Sequence, residues 1–479
     1  MIADDRRSGR ARGVPRSAVL GHRGRGWSRS HGLALCAVIA ATAAATLIAP
    51  AVASAAPVYG VVPQDGALPP RGELQLMRDG GVDSIRLMAH WGTVEPAPGE
   101  RNWGTLDGLV RETTERGIQP LLFLYGPPAW VVEGDGRKCA EADCAVIAPS
   151  SKSSRRAYAR FAKAAVERYG PDGDFWKPPE LPVARPSPAS RAGLGIPCPE
   201  PPLPPIPGCE PPDDGGGGGG GDPPPPPPPG DDGTTPEPTP PPPPPPEDPT
   251  DPDPLPTDPP CGCTGPQPVR VWQVWNEQNS PKYYAPKVRV NGYARLIKAT
   301  SKAIKSVDPK AEVMLGGMWG PQSLKKGKKK PPVTTFIDYM KRLYRVRGIK
   351  KRFDSLAIHP YSSNVSGMIK QMREARRVAK SFGDRKVGLW ITEIGWASGG
   401  PGDEPYVKGD SGQAKLLSKA YRKLDKKRRA FRLRGVFWYS WRDRPGGDLI
   451  CAWCGHAGLL NLDGSPKPAW DTFVGMASG

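Results

Sequence analysis

Two carboxylates stand where packing gives no reason for them. In "VWQVWNEQNS" (271–280) an apolar run suited to a strand buried on both faces stops at Asn276 and Glu277. In "KVGLWITEIGWAS" (386–398) a second run of that kind carries Glu393. At a plain surface such a charge only solubilises the chain; at the rim of a pocket it can be a proton donor, a base or a nucleophile. Three further runs carry polar or aromatic groups at corresponding places: "DSIRLMAHW" (83–91) with Arg86, His90 and Trp91, "FDSLAIHPYSS" (353–363) with His359 and Tyr361, and "RGVFWYSWRD" (434–443) with Trp438, Trp441 and Asp443. Singly, each has a plainer reading. A Glu at a strand end pairs with an Arg, a buried His is a hydrogen-bonded core residue, and Trp272, Trp275 and Trp390 are packing. Glu95 and Asp443 read as loop-pairing residues.

The elements that must position these groups alternate strand and helix. Before residue 177 there are three strand–helix pairs: "VYGVVPQ" with "RGELQLMRDGG", "DSIRLMAHW" with "LDGLVRETTERG", and "IQPLLFLYG" with "SRRAYARFAKAAVERYG". After residue 268 there are five more. Their strands are "VWQVW", "AEVMLGGMW", "FDSLAIHPYSS", "KVGLWITEIGWAS" and "RGVFWYSWRD", and their helices include 413–432 and "PAWDTFVGM". Eight pairs close a parallel α/β barrel, and enough chain remains for one. Between the halves, 177–267 holds more than half of the 63 prolines and a run of seven glycines, a composition that cannot bury a core. The expectation is an α/β fold, a (β/α)8 TIM barrel over 57–176 and 268–479, interrupted by a disordered Pro/Gly-rich insert between its third helix and fourth strand. Two separate domains would leave each half an open parallel sheet with exposed edges.

In such a barrel the C-terminal strand ends face the active site, and the fourth and seventh strands lie across from one another. Glu277 and Glu393 would then oppose each other over a pocket with aromatic walls, the arrangement that glycosidic bond cleavage requires. The ordered set resembles the clan of retaining glycoside hydrolases built on (β/α)8 barrels, and within it the family 39-like and cellulase-like members. The resemblance covers the whole barrel. It rests on Asn276-Glu277 after strand four, Glu393 in "TEIGW", Arg86 on strand two, His359 and Tyr361 on strand six, and Trp438 or Trp441 on strand eight, with "WGTVEPAPGERNWGTLDGLV" and "GLLNLDGSPKPAWDTF" as further segments. At strand three, where some members carry a His, "LYGPPAW" offers Tyr125 and Trp130 instead.

The resemblance implies Glu393 as nucleophile, ionised and held by Arg86 and Tyr361, and Glu277 as general acid and then base. A carboxyl separation of about 5 to 5.5 Å would mean retention of anomeric configuration. Asn276 would bond the sugar 2-hydroxyl, Arg86, His359 and Tyr361 would also bind the substrate, and Trp130, Trp319, Trp396 and the strand-eight Trp would stack on sugar faces. No metal or organic cofactor is expected. The partner is a polysaccharide or oligosaccharide. A non-catalytic carbohydrate-binding barrel, associated with a cell wall through the Pro-rich segment, is the alternative, and a transglycosylase is a third.

The 479 residues carry a net charge of +19, but no zinc finger, RNA-binding signature or recognition helix accompanies it, so nucleic acid is not the expected partner. The cations read as solvated helix faces, and "KKGKKK" (325–330), after strand five on the active face, as a solvated loop rather than a site that attracts an anionic polysaccharide. Residues 1–56 read as a signal peptide: an Arg-rich start, an apolar stretch from Leu33 to Ala49, and "ASA" at 53–55. A membrane anchor competes with that reading, but the run is short for a span. Secretion and a monomer are expected. Removing the signal removes Cys36 and leaves eight cysteines, which in an exported protein favours disulfides. Cys139 and Cys144 share one loop and Cys451 and Cys454 another, while Cys261 and Cys263 are expected to pair with Cys198 and Cys209. Zinc on Cys451, Cys454 and His456 is the rival use of "CAWCGH".

Overall fold

The computed structural model describes residues 57–63, 68–177, 268–320, 335–402, 404–445 and 451–477. Eight parallel strands close in sequence order into one barrel: β1 (Val58–Val62), β2 (Ser84–His90), β3 (Gln119–Tyr125), β4 (Val271–Val274), β5 (Glu312–Trp319), β6 (Ser355–His359), β7 (Gly388–Ile394) and β8 (Leu433–Tyr439). The expected TIM barrel is therefore the observed fold. β8 closes onto β1 from Val58↔Gly435 to Val62↔Tyr439, so no strand edge is left open.

Eleven α-helices lie among the described residues: α1 (Arg71–Asp79), α2 (Trp91–Val94), α3 (Gly104–Glu115), α4 (Ala129–Gly134), α5 (Glu141–Cys144), α6 (Lys152–Tyr169), α7 (Val290–Val307), α8 (Phe336–Tyr344), α9 (Val365–Ser381), α10 (Gly409–Phe431) and α11 (Pro468–Ala477). Three of the longer ones start where a side chain takes up a free amide. Ser151, Thr335 and Asn364 accept from the third residue of α6, α8 and α9, each cap contributing about 1 kcal/mol. The sequence places the start of α10 at Gln413, but the helix begins at Gly409, where Asp410 suits the positive end of the helix dipole. The short α2, α4 and α5 sit in loops after β2 and β3, and their length gives too few turns for a helical period to show.

Packing forms two layers. Between strands and helices lies the larger core, including Leu87, Leu122, Val274, Ile358, Ile391 and Trp438. Inside the barrel is a smaller cluster of Val62, Leu121, Met314, Ala357, Trp390 and Phe437. Strand residues alternate between these layers, as a period of two demands. The two sides of the 177–267 stretch meet: Val269 N–H donates to Tyr169 C=O at 2.8 Å, so the chain re-enters the fold beside the point where it left. The expected insert, the signal peptide, "KKGKKK" and Cys198, Cys209, Cys261 and Cys263 lie outside the described residues. Cys139–Cys144 and Cys451–Cys454 are disulfides. The latter uses both sulfurs that the zinc reading required. Among the described residues no helix is long and apolar enough to cross a membrane.

Candidate active site

Beyond Val274 the β4 chain turns sharply. Trp275 and Glu277 both have left-handed backbone, with φ of 75° and 39°. Side-chain-bearing residues adopt that region only when the surroundings impose it. Here β5 does so. Glu277 N–H donates to Gly317 C=O at 3.0 Å, Gln278 Nε2 donates to Gly316 C=O at 3.1 Å, and Asn279 Oδ1 accepts from Trp319 N–H at 3.1 Å. The two glycines of β5 are required by close approach. A Cβ on Gly316 would lie 2.3 Å from Gln278 Oε1, and one on Gly317 1.9 Å from His359 Nε2.

On the opposite side, β7 brings Thr392 and Glu393 together to the barrel interior, where the β7–β8 register shifts between Ile391 and Ile394. Arg86 Nη1 donates to Glu393 Oε1 at 2.8 Å, and Tyr361 Oη donates to Glu393 Oε2 at 3.1 Å. The same guanidinium donates through Nη2 to Asn276 Oδ1 (2.9 Å) and through Nε to Gln273 Oε1 (2.8 Å), and it lies over the Phe123 ring at 4.1 Å. With its oxygen engaged, Asn276 has its NH2 group to offer to a ligand. His359 Nδ1 stands 2.8 Å from Glu277 Oε1 and 3.3 Å from Glu393 Oε2. Its Nε2 stands 3.0 Å from Thr392 Oγ1.

Oxygens of Glu277 and Glu393 and a ring nitrogen of His359 all lie within 4.8 Å of one another. A cation could span that spacing, but a guanidinium already bonds Glu393, and a second positive charge beside it would be repelled. The two carboxylates differ in their surroundings. Burial, then the negative charge of Glu393, raises the Glu277 carboxyl well above its usual range. Burial also raises Glu393, but Arg86 and the Tyr361 hydroxyl oppose it, and the rise is smaller. The Arg86 and Tyr361 donors thus favour the negative charge on Glu393, and a proton on the pair is favoured on Glu277. Burial, aided by the Arg86 charge, holds His359 well below its ordinary value, so the ring is neutral.

The pocket above this pair has a volume of about 590 Å³, and Tyr125, Tyr283, Trp319, Tyr406, Tyr439 and Trp453 are among its walls, with Lys282 and Arg444 as cations. Arg86, Asn276, Glu277, Tyr361 and Glu393 all reach it, and His359 lies directly behind the carboxylates. The expected stacking tryptophans fare differently, and only Trp319 lines the pocket. Trp438 is corrected: it points outward from β8, buried, with its indole N–H on Ala457 C=O, because Phe437 and Tyr439 hold the inward positions of the alternation. Trp441 is buried against Trp470 and donates to Glu73. Trp130 donates to Glu95 C=O and packs edge-on against Trp91. Trp396 is buried with its N–H on Ser362 C=O. Glu95 and Asp443 pair loops, Glu95 with Trp91 and Gly99, Asp443 with Gly458 and Lys467.

Sequence reasoning missed Trp453, which lies between the bonded Cys451 and Cys454 and stacks on Tyr406 at 4.8 Å. An aromatic bracketed by two cysteines in the last strand–helix loop was the available signal. Tyr439, Gln273 and Thr392 were also passed over. Tyr439 is betrayed by the two-residue period of β8, but nothing local marks the other two.

No protein-family profile matches the chain, and no curated protein matches it. Solved structures do. A family 39 glycoside hydrolase from Bacteroides cellulosilyticus superposes with a TM-score of 0.50 at 19% identity, over 89% of this chain and 64% of that one. A β-glycosidase superposes with a TM-score of 0.50 at 13% identity, over 85% of each chain. The chain thus spans a little under two thirds of the Bacteroides enzyme's length. At these identities the likeness concerns the fold: the chain shares its (β/α)8 barrel with solved glycoside hydrolases.

Proposed function

We propose that the protein is a secreted, retaining glycoside hydrolase that cleaves O-glycosidic bonds in a polysaccharide or oligosaccharide by double displacement. The observation that carries this reading is a pair of carboxylates with oxygens within 4.8 Å, one bonded by Arg86 and Tyr361 and the other buried without a cation bonded to it among the described residues. In the first step a Glu393 oxygen attacks the anomeric carbon. The bond to the leaving oxygen breaks, and that oxygen takes the proton of Glu277. In the second step Glu277, now a base, takes a proton from water while the water oxygen attacks the same carbon and releases Glu393. Two inversions retain configuration, and the approach of the two carboxylates, with oxygens within 4.8 Å, supports the closer spacing of retaining enzymes over the wider one that inverting enzymes need. Asn276 offers its amide N–H to the sugar 2-hydroxyl, and the aromatic walls supply apolar faces. Secretion is supported by the signal-like residues 1–56 and by two disulfides, which persist in oxidising compartments.

The test is an activity screen across plant and bacterial glycans, run beside Glu393→Gln. Turnover in the parent protein should fall by about 10⁴-fold or more in the variant while its circular dichroism is unchanged. Equal turnover in both proteins would overturn the nucleophile assignment.

A further inference from the structure

Behind the carboxylates runs a chain of buried polar groups in which one order of donors and acceptors satisfies every member. Arg86 has no acceptor, so its Nε–H fixes the oxygen of the Gln273 amide toward itself at 2.8 Å. The Gln273 NH2 then faces Thr392 Oγ1 at 3.4 Å and Leu315 C=O at 3.5 Å. The Thr392 oxygen is thereby an acceptor, and its single proton has one neighbour left to receive it, His359 Nε2 at 3.0 Å. Gln273, His359 and Thr392 are fully or almost fully buried, and Nε2 is packed so closely on Gly317 that an added Cβ would lie 1.9 Å away. With the opposite tautomer, an Nε2–H would point at Thr392 and leave the hydroxyl proton without an acceptor, at the cost of an unmade buried hydrogen bond. The charged groups facing the ring are Arg86 from β2, Glu277 from β4 and Glu393 from β7, with the Tyr361 phenol beyond.

We infer that Thr392 is a positioning residue for acid catalysis: its hydroxyl fixes His359 as the Nδ1–H tautomer, so that Nδ1–H occupies Glu277 Oε1 and the acid's proton is carried on the other oxygen, Oε2. Without that hydroxyl, Nδ1 becomes an acceptor. It then draws the Glu277 proton toward the ring and away from the leaving group. The inference rests on Glu277 as the acid, but the tautomer itself is measurable without any substrate.

The test compares the parent protein with Thr392→Val, which keeps the shape and loses the hydroxyl, and Thr392→Ser, which keeps the hydroxyl. Proton–nitrogen correlation spectra of ¹⁵N-histidine protein should show His359 as neutral Nδ1–H in the parent and in Thr392→Ser, with Nε2–H appearing in Thr392→Val. Aryl glycosides should separate the kinetic effect. Thr392→Val should lose roughly tenfold or more in kcat/KM with poor leaving groups, which need the acid, and little with dinitrophenolate. Its basic pH limb should move to higher pH, because an acceptor at Nδ1 stabilises protonated Glu277, and Thr392→Ser should restore the limb. An Nε2–H or doubly protonated His359 in the parent overturns the inference. So does an equal loss with all leaving groups, which a merely structural role would give. If the parent cleaves no glycoside, the proposed function fails while the tautomer result still stands or falls by the spectra.

Discussion

Inside the barrel, two neighbouring layers are held by opposite means. In one, Leu121, Met314, Ala357, Trp390 and Phe437 meet as an apolar cluster; in the other, Arg86, Gln273, His359 and Thr392 meet behind two carboxylates. The first is stabilised by area removed from water and by close contact, so its members are interchangeable with others of similar volume. The second has little apolar area to gain and is viable only because its polar groups find partners. Removing a contact from the first should therefore cost stability, and removing one from the second should cost function.

The largest expected stability effect lies in the apolar layer. Phe437→Ala, at a fully buried site, should destabilise by about 3–5 kcal/mol in a denaturant titration, with kcat per folded molecule nearly unchanged. A matching collapse of kcat at full folding would show that the two layers are not separable. In the polar layer, His359→Ala removes the donor between the carboxylates. It should lower kcat roughly 100-fold, the scale of a small misplacement of reacting groups, with a smaller stability change than Phe437→Ala.

The smallest effect has an unusual sign. The folded Glu277 carboxyl is raised well above the ordinary glutamate value of 4.5 by burial and by Glu393. Its contribution to stability is thus fully present below about 4.5, and it is lost as pH climbs through the raised folded value. Glu277→Gln removes that loss. As pH rises above about 4.5, the variant should gain thermal stability relative to the parent while acid catalysis is lost. A parent that keeps pace with the variant across that range would mean that Glu277 is not buried as a neutral acid.

The same contrast explains what was legible in the sequence. The apolar layer and its surrounding helices follow from period and propensity, so the count of eight strands, their order and most boundaries could be read directly. Glu277 and Glu393 were visible for the opposite reason, as charges breaking an apolar pattern. Arg86 and His359 stood out in the same way. The aromatic walls were harder. Trp438 and Tyr439 are adjacent, and a shift of one residue exchanges the pocket for the outer core. Trp453 reaches the pocket from a loop whose course the pattern of β8 does not determine. Gln273 and Thr392 are uncharged residues within strands, and their partners are 187 and 33 positions away in sequence. Only the closed barrel makes them neighbours.

The most direct measurement is to trap the covalent intermediate. The protein is incubated with activated 2-deoxy-2-fluoro glycosides of the sugar found in the glycan screen, then weighed intact and digested for peptide mapping. A mass increase of one fluoroglycosyl group is expected, carried by Glu393 and absent from Glu393→Gln. A label on any other residue, or a product of inverted configuration released without a label, would contradict it.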